Sequence, residues 1–281
     1  MLYNKLMTDK KQIGFTLIEL SIVLVIIGLL VGSVLMGKDL IRASEIRSTI
    51  SQIEKYNTAV NTFRSKYGGI PGDLKYTEAS GFGFYSIWFA PYIGYSGYGD
   101  GNGLIRSGFG AGPPSTVVNL YGEPFMFWRH LSDAKLIDGN YGENLNWAAE
   151  TSAMSGVDTI NAFLPTSKLT GSTIAVGSPL NGVNYFLLTK VTSIIGIGAF
   201  GTSENPLTAH EAYTIDSKID DGLPATGTVF AIDAISAVNS STGLNHPNTW
   251  KTVSAVAGCV ASSAYVLTQT TPSCSLRFKF Q

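Results

Sequence analysis

The sequence predicts an α+β protein. A long N-terminal helix, half membrane-like and half amphipathic, leads into a glycine- and aromatic-rich αβ region and then a C-terminal antiparallel β-sheet head. Three observations carry this. Residues 15–36 contain a single ionisable side chain, Glu19. Behind them, apolar residues recur every three or four positions as far as Tyr67. Beyond Gly68-Gly69 the chain turns to glycine, serine and threonine, broken by short β-branched and aromatic runs.

The first element is the apolar run from Phe15 to Met36, which is long enough to span a bilayer core; that takes about 20 helical residues. Lys10, Lys11 and Gly14 stand directly before it. A secretory signal peptide would have a shorter core, about 7–15 residues, with a small-residue cleavage site after it. Here the glycine precedes the run, and no A-x-A pattern follows it. Glu19 lies near the start of the run. A carboxylate inside lipid is costly and calls for a partner; the plainer alternative is a glutamate resting at headgroup level.

Gly14-Phe15-Thr16-Leu17-Ile18-Glu19-Leu20, preceded by Lys10-Lys11, resembles the N-terminal motif of the type IV pilin and type II secretion pseudopilin superfamily. The direct likeness covers roughly residues 10–67. The remainder is more loosely similar to alphaproteobacterial-type pilin-like proteins, through Tyr67-Gly68-Gly69-Ile70-Pro71-Gly72-Asp73 and Asp220-Asp221-Gly222-Leu223-Pro224. The resemblance implies the type IV pilin fold and a leader, residues 1–14, removed by a prepilin peptidase that cuts between Gly14 and Phe15 and methylates the Phe15 amine. Residues 15–37 then stay as transmembrane segment and filament core. Met1 and Met7 both offer a start, for a leader of 14 or 8 residues. Charge around the span gives only a slight positive-inside bias. The motif implies cytoplasmic cleavage, which leaves the C-terminal head outside the bacterial inner membrane.

Glu19 has a physical role under this resemblance. Cleavage creates a positive amine on Phe15, and a carboxylate four residues later lies on the same helix face. In a filament, Glu19 pairs with the Phe15 amine of an adjacent copy. Either charge left alone in an apolar bundle costs several kcal/mol, so the pair fixes the axial register between subunits.

The helix is expected to continue to Tyr67. Ile46, Ile50, Ile53, Tyr56, Val60, Phe63 and Tyr67 form one face, and Arg47, Glu54, Lys55, Asn61 and Arg64 lie on the other. Gly68-Gly69 and Pro71 end it. At 1.5 Å per residue such a helix is about 80 Å long. Many type IV pilins carry a proline near the position of Met36; this chain does not. Gly28 and Gly32 form a G-x-x-x-G pair, which permits close helix packing in membranes or is simply tolerated there.

Residues 68–182 are expected to form the αβ region. Within it, residues 81–110 hold nine glycines and nine aromatics without periodicity, which reads as a loop packed on the head. Asp100-Gly101-Asn102-Gly103 echoes the start of a calcium loop, but Leu104 stands at the next ligand position and no glutamate closes the frame. A helix is predicted over Pro124–Ile137, with Gly139 just past its end.

Residues 183–281 are expected to hold the head: strands at 183–192, 227–234, 251–257 and 276–280, and a helix capped by Asn205-Pro206 with Leu207, Glu211, Ile215 and Ile219 four apart. Asp216, Asp220 and Asp221 crowd the end of that helix, where negative charge opposes the dipole. Lys218 or a calcium ion would compensate, although the local motif is not the pseudopilin calcium loop. Cys259 and Cys274 have 14 residues between them. In an oxidising compartment a bridge is the natural reading, against two buried thiols; many type IV pilins close a C-terminal loop in this way.

Charged residues make up 14% of the chain and the net charge is −1, so no basic face argues for nucleic acid. The sequence has no G-x-S-x-G, H-E-x-x-H, P-loop or dinucleotide fingerprint, and His130, His210 and His246 lack metal-ligand spacing. No enzymatic activity and no required cofactor are expected. The leading expectation is a structural subunit of a type IV pilus or related filament. Its partners are copies of itself and other pilins, the prepilin peptidase, an inner-membrane platform protein and a cytoplasmic assembly ATPase. The alternatives are a pseudopilin of a periplasmic type II secretion pseudopilus and a membrane-anchored domain that never polymerises. The sequence names no adhesion target.

Overall fold

The computed structural model describes residues 15–84, 99–105, 123–142, 153–155, 160–178, 182–195, 199–232 and 258–280. The strand expected at 251–257 and most of the loop at 81–110 lie outside them. The chain forms two compact units, residues 1–44 and 45–281, and one helix, α1 (Leu17–Tyr67), contributes to both.

In the first unit every residue from Phe15 to Met36 is exposed. This stretch is the one described helical segment long and apolar enough to cross a membrane. Its leucines, isoleucines and valines form an apolar surface far beyond what a soluble monomer presents to water. Polar groups are closed internally. Ser21 Oγ donates to the Ile18 carbonyl at 2.9 Å, and Ser33 Oγ to the Leu29 carbonyl at 2.7 Å. In lipid that self-satisfaction is what a lone helix requires. A Cβ added to Gly28, Gly32 or Gly37 would meet nothing within 4 Å, so no packing among the described residues accounts for these glycines.

The second unit holds the core. α1 lays Ile46, Ile53, Tyr56, Ala59, Val60 and Phe63 into it, the face set by the 3.6-residue period. α2 (Tyr76–Gly81) and α3 (Glu123–Asp133) follow. Trp128, Phe127 and Met126 of α3 are fully buried. The Tyr56 ring meets Trp128 edge-on at 5.0 Å, and Phe186 stacks on Phe280 at 4.3 Å. α3 is shorter than the 124–137 expected: the chain leaves the helix at Ala134 and passes through Lys135 at φ 57° and Gly139 at φ 102°.

The strands are β1 (Ala153–Ser155), β2 (Thr173–Gly177), β3 (Tyr185–Ile195), β4 (Ala199–Glu204), β5 (Val229–Ile232), β6 (Val260–Ala261), β7 (Ala264–Tyr265) and β8 (Ser275–Lys279). The main sheet is antiparallel and built along β3. Its first half pairs with β2 and β8 and its second half with β1 and β4, while β5 adds beyond β8. Register puts Phe186 opposite Phe278, and Phe278 opposite Val229, on one face. Leu187, Arg277 and Phe230 share the other, where the Arg277 guanidinium lies between the Tyr185 and Phe230 rings at 4.7 and 4.8 Å.

α4 (Ala209–Ile219) begins at Thr208, not at Asn205-Pro206. Leu207 is taken by a β-bridge to Cys274, so it cannot open the helix. Thr208 Oγ1 accepts from Glu211 N at 3.2 Å, and Glu211 Oε2 takes Thr208 N at 2.8 Å, a reciprocal capping box. The buried face is consequently Ala209, Ala212, Ile215 and Asp216. Cys259 and Cys274 are joined, which ties the β6–β7 hairpin to the root of β8.

Candidate assembly and processing site

Thr16 and Glu19 build the first turn of α1. Thr16 N and Thr16 Oγ1 both donate to Glu19 Oε2 at 2.8 Å, and Glu19 N donates to Thr16 Oγ1 at 3.3 Å. Thr16 is therefore the N-cap and Glu19 the third helical residue, which also places a carboxylate at the positive end of the helix dipole. Phe15, just before the cap, is 83% exposed. Gly14, Lys10 and Lys11 lie outside the described residues. Glu19 and Phe15 thus stand together at the helix start, one turn apart, and among the described residues Glu19 is partnered by Thr16. The S/T-x-x-E spacing was visible in the sequence as a capping box, but the membrane and family readings of Glu19 left Thr16 without a role.

The three acids at the end of α4 do come together: one ligand oxygen each from Asp216, Asp220 and Asp221 lies within 4.8 Å of the others. The chain supplies donors to them. Asp216 Oδ2 accepts from Tyr265 Oη at 2.7 Å and Oδ1 from Gly222 N at 3.2 Å. Asp220 Oδ2 accepts from Thr228 N and from Val229 N. Asp221 accepts from Leu223 N at 2.8 Å and Thr226 Oγ1 at 2.5 Å. Backbone and hydroxyl donors thus offset charge at this helix end, and the carboxylates pin the loop into β5. Burial pushes the Asp216 carboxyl up to about 6, against the lowering effect of the Tyr265 hydroxyl and Gly222 N–H.

A second acidic group was not foreseen. Asp73, Asp100 and Glu123 also place carboxylate oxygens within 4.8 Å of one another. Asp73 Oδ1 accepts from Gly101 N at 2.9 Å and Oδ2 from Gly103 N at 2.7 Å, while Asp100 N donates to Glu123 Oε1 at 3.3 Å. Burial raises the Asp73 pKa. The Asp100–Gly103 turn is thereby clasped onto the Gly72-Asp73 corner, whose Gly72 N donates to His130 Nδ1 at 3.0 Å. Only the Asp-Gly-Asn-Gly half of this arrangement was legible, because its partners lie 28 and 23 residues away.

Residues 9–35 match the family model described as the prokaryotic N-terminal methylation motif. No curated protein and no solved structure matches the chain. On residues 9–35, then, this chain carries the methylation motif that is the hallmark of type IV pilin and pseudopilin precursors.

Proposed function

We propose that the chain is a structural subunit of a type IV pilus or a related filament, cleaved between Gly14 and Phe15, methylated on Phe15 and polymerised through the apolar half of α1. The observation that carries this reading is the methylation motif running directly into the helical stretch up to Met36, whose apolar residues are left exposed by the described residues. Such a surface needs lipid before assembly and neighbouring helices after it. The prepilin peptidase, platform protein and assembly ATPase are its partners on this reading, and the subunit waits in the inner membrane with its head in the periplasm.

Mass spectrometry of mature protein tests the processing step: N-methylated Phe15 is expected, and mature material that still begins at Met1 or Met7 refutes it. Glu19→Ala is expected to abolish filament assembly while leaving membrane insertion intact; normal filament yield from that variant refutes the register role. Shearing cells and imaging the released fraction decides the class of filament. Long extracellular fibres containing the chain support a pilus, and material confined to the periplasm supports a secretion pseudopilus instead.

A further inference from the structure

Asp73 grips an exposed turn, residues 99–103, with both oxygens of a carboxyl group that is itself buried. Oδ1 accepts from Gly101 N at 2.9 Å and Oδ2 from Gly103 N at 2.7 Å, across 28 and 30 residues of chain. Two further carboxyl groups face it, Asp100 from the turn and Glu123 from the start of α3, with oxygens of all three within 4.8 Å of one another. Asp73 and Glu123 are each 3% exposed. The far end of the turn is anchored differently. Asn184 Oδ1 accepts from Ile105 N at 2.8 Å, and Asn184 Nδ2 donates to the Gly103 carbonyl at 2.9 Å. The asparagine amide does not titrate. We propose that Asp73 is a proton-operated clasp: its neutral carboxyl keeps residues 99–103 closed on the head, its ionisation lets them open, and Asn184 holds residue 105 in both states. The clasp is independent of whether the chain polymerises.

Three carboxyl groups this close, two of them buried, cannot all be charged without a large penalty. A proton on Asp73 removes one charge and offers Asp100 a donor in place of a repulsion. The protonated carboxyl still accepts from the backbone N–H groups. Burial accordingly holds the Asp73 pKa up at about 6, against the lowering effect of the Gly103 and Gly101 N–H groups, and Asp100 raises it further. Because the folded value stands above the ordinary 3.8, the closed clasp is fully favoured below pH 3.8 and loses that advantage as pH rises through about 6. The other charged groups around the corner act differently. Lys75 lies against Gly101, its Cε 2.9 Å from where a Cβ there would sit, and softens the repulsion. Glu78 is engaged in capping α2, where it takes Lys75 N at 3.3 Å. On α3, Arg129 is paired with Asp133 at 3.0 Å. His130 Nδ1 accepts from Gly72 N at 3.0 Å, so its protonation would break the corner at low pH, the opposite sense.

Residue-resolved hydrogen exchange of the full chain in detergent tests this at pH 5 and pH 8, with EDTA present so that no divalent cation replaces the proton. After correction for intrinsic exchange, protection of the Gly103 amide is expected to fall about tenfold between the two, the ratio implied by a carboxyl moved from 3.8 to about 6. Protection of the Ile105 amide is expected to stay constant. Asp73→Asn cannot ionise and is expected to show equal Gly103 protection at both pH values. If that variant fails to fold, judged by exchange of the β3 amides, Asp100→Asn decides. Asp100 is exposed, and its replacement keeps the Asp73 contacts while removing a facing charge, so the fall at Gly103 is expected to shrink. Equal Gly103 protection at pH 5 and pH 8 in the unaltered chain overturns the proposal. An equal fall at Ile105, or an undiminished fall in either folded variant, overturns it too. Protection lost on acidification would assign the pH response to His130 and overturn it as well.

Discussion

A Cβ at Gly72 would sit 2.3 Å from the Glu123 carbonyl oxygen and 2.9 Å from Phe127 N, at φ 86°. No side-chain movement relieves a clash with backbone, and the left-handed angle adds its own strain. Gly72→Ala is expected to cost about 3 kcal/mol or more, read as a lowered Tm of the detergent-solubilised chain. Asp216 supplies a second prediction at this scale. Its folded pKa, about 6, is raised above the ordinary 3.8. The linked stability is therefore fully present below pH 3.8 and is lost as pH rises through about 6. Tyr265→Phe removes the donor at Oδ2 and leaves Gly222 N at Oδ1. That loss is expected to cost about 2 kcal/mol at pH 8, where the carboxylate is charged, and about 1 kcal/mol at pH 4, where it is neutral. Thermal unfolding at the two pH values checks this, and an equal loss at both contradicts the charged hydrogen bond.

Among the elements, the β6–β7 hairpin owes its place to the Cys259–Cys274 bridge and to the Tyr265–Asp216 contact, because its own strands are two residues long. Closing a loop of this size is worth about 3 kcal/mol in the chain-entropy model. Replacing both cysteines by serine is expected to lower stability by roughly that amount and to open residues 258–273 to protease before β8 is lost. Simultaneous digestion of hairpin and sheet would show that the bridge holds more than its loop. What the sequence disclosed at this scale follows from locality. The amphipathic half of α1 repeats every 3.6 residues, and β3 opens on the apolar run Tyr185-Phe186-Leu187-Leu188, so both are legible within a short window. The start of α4 is not, since Pro206 imitates a helix opening while Leu207 is claimed by Cys274, far away in the chain. The same holds for Gln52, which reads as part of a solvated helix face. Its Nε2 donates to the Thr166 carbonyl at 2.8 Å and its Oε1 accepts from Lys168 N at 2.9 Å, clasping a loop more than a hundred residues on. The Asp73 clasp stayed hidden for that reason too, as did α2, whose six residues are too few for a periodic signal.

On the scale of the whole molecule, burial divides the chain at Ser44. Residues 15–44 contribute no buried side chain, whereas the core begins at Ile46 and includes the later apolar face of α1. If folding follows burial, the second unit has its own core, its own disulfide and its own capped helices, and residues 15–44 are left, on the proposed function, to insertion and polymerisation. A chain of residues 45–281 exported to an oxidising compartment is then expected to be soluble without detergent, to form the Cys259–Cys274 bridge and to unfold cooperatively. Its Tm is expected within a few degrees of the full chain in detergent, a difference of less than about 1 kcal/mol. It is also expected to stay out of filaments, since it lacks Thr16, Glu19 and the apolar surface behind them. Aggregation of this piece, or a Tm far below that of the full chain, would mean that the exposed half of α1 stabilises the head. The division of labour read from burial would then be wrong, even if the N-terminal methylation of Phe15 were found as expected.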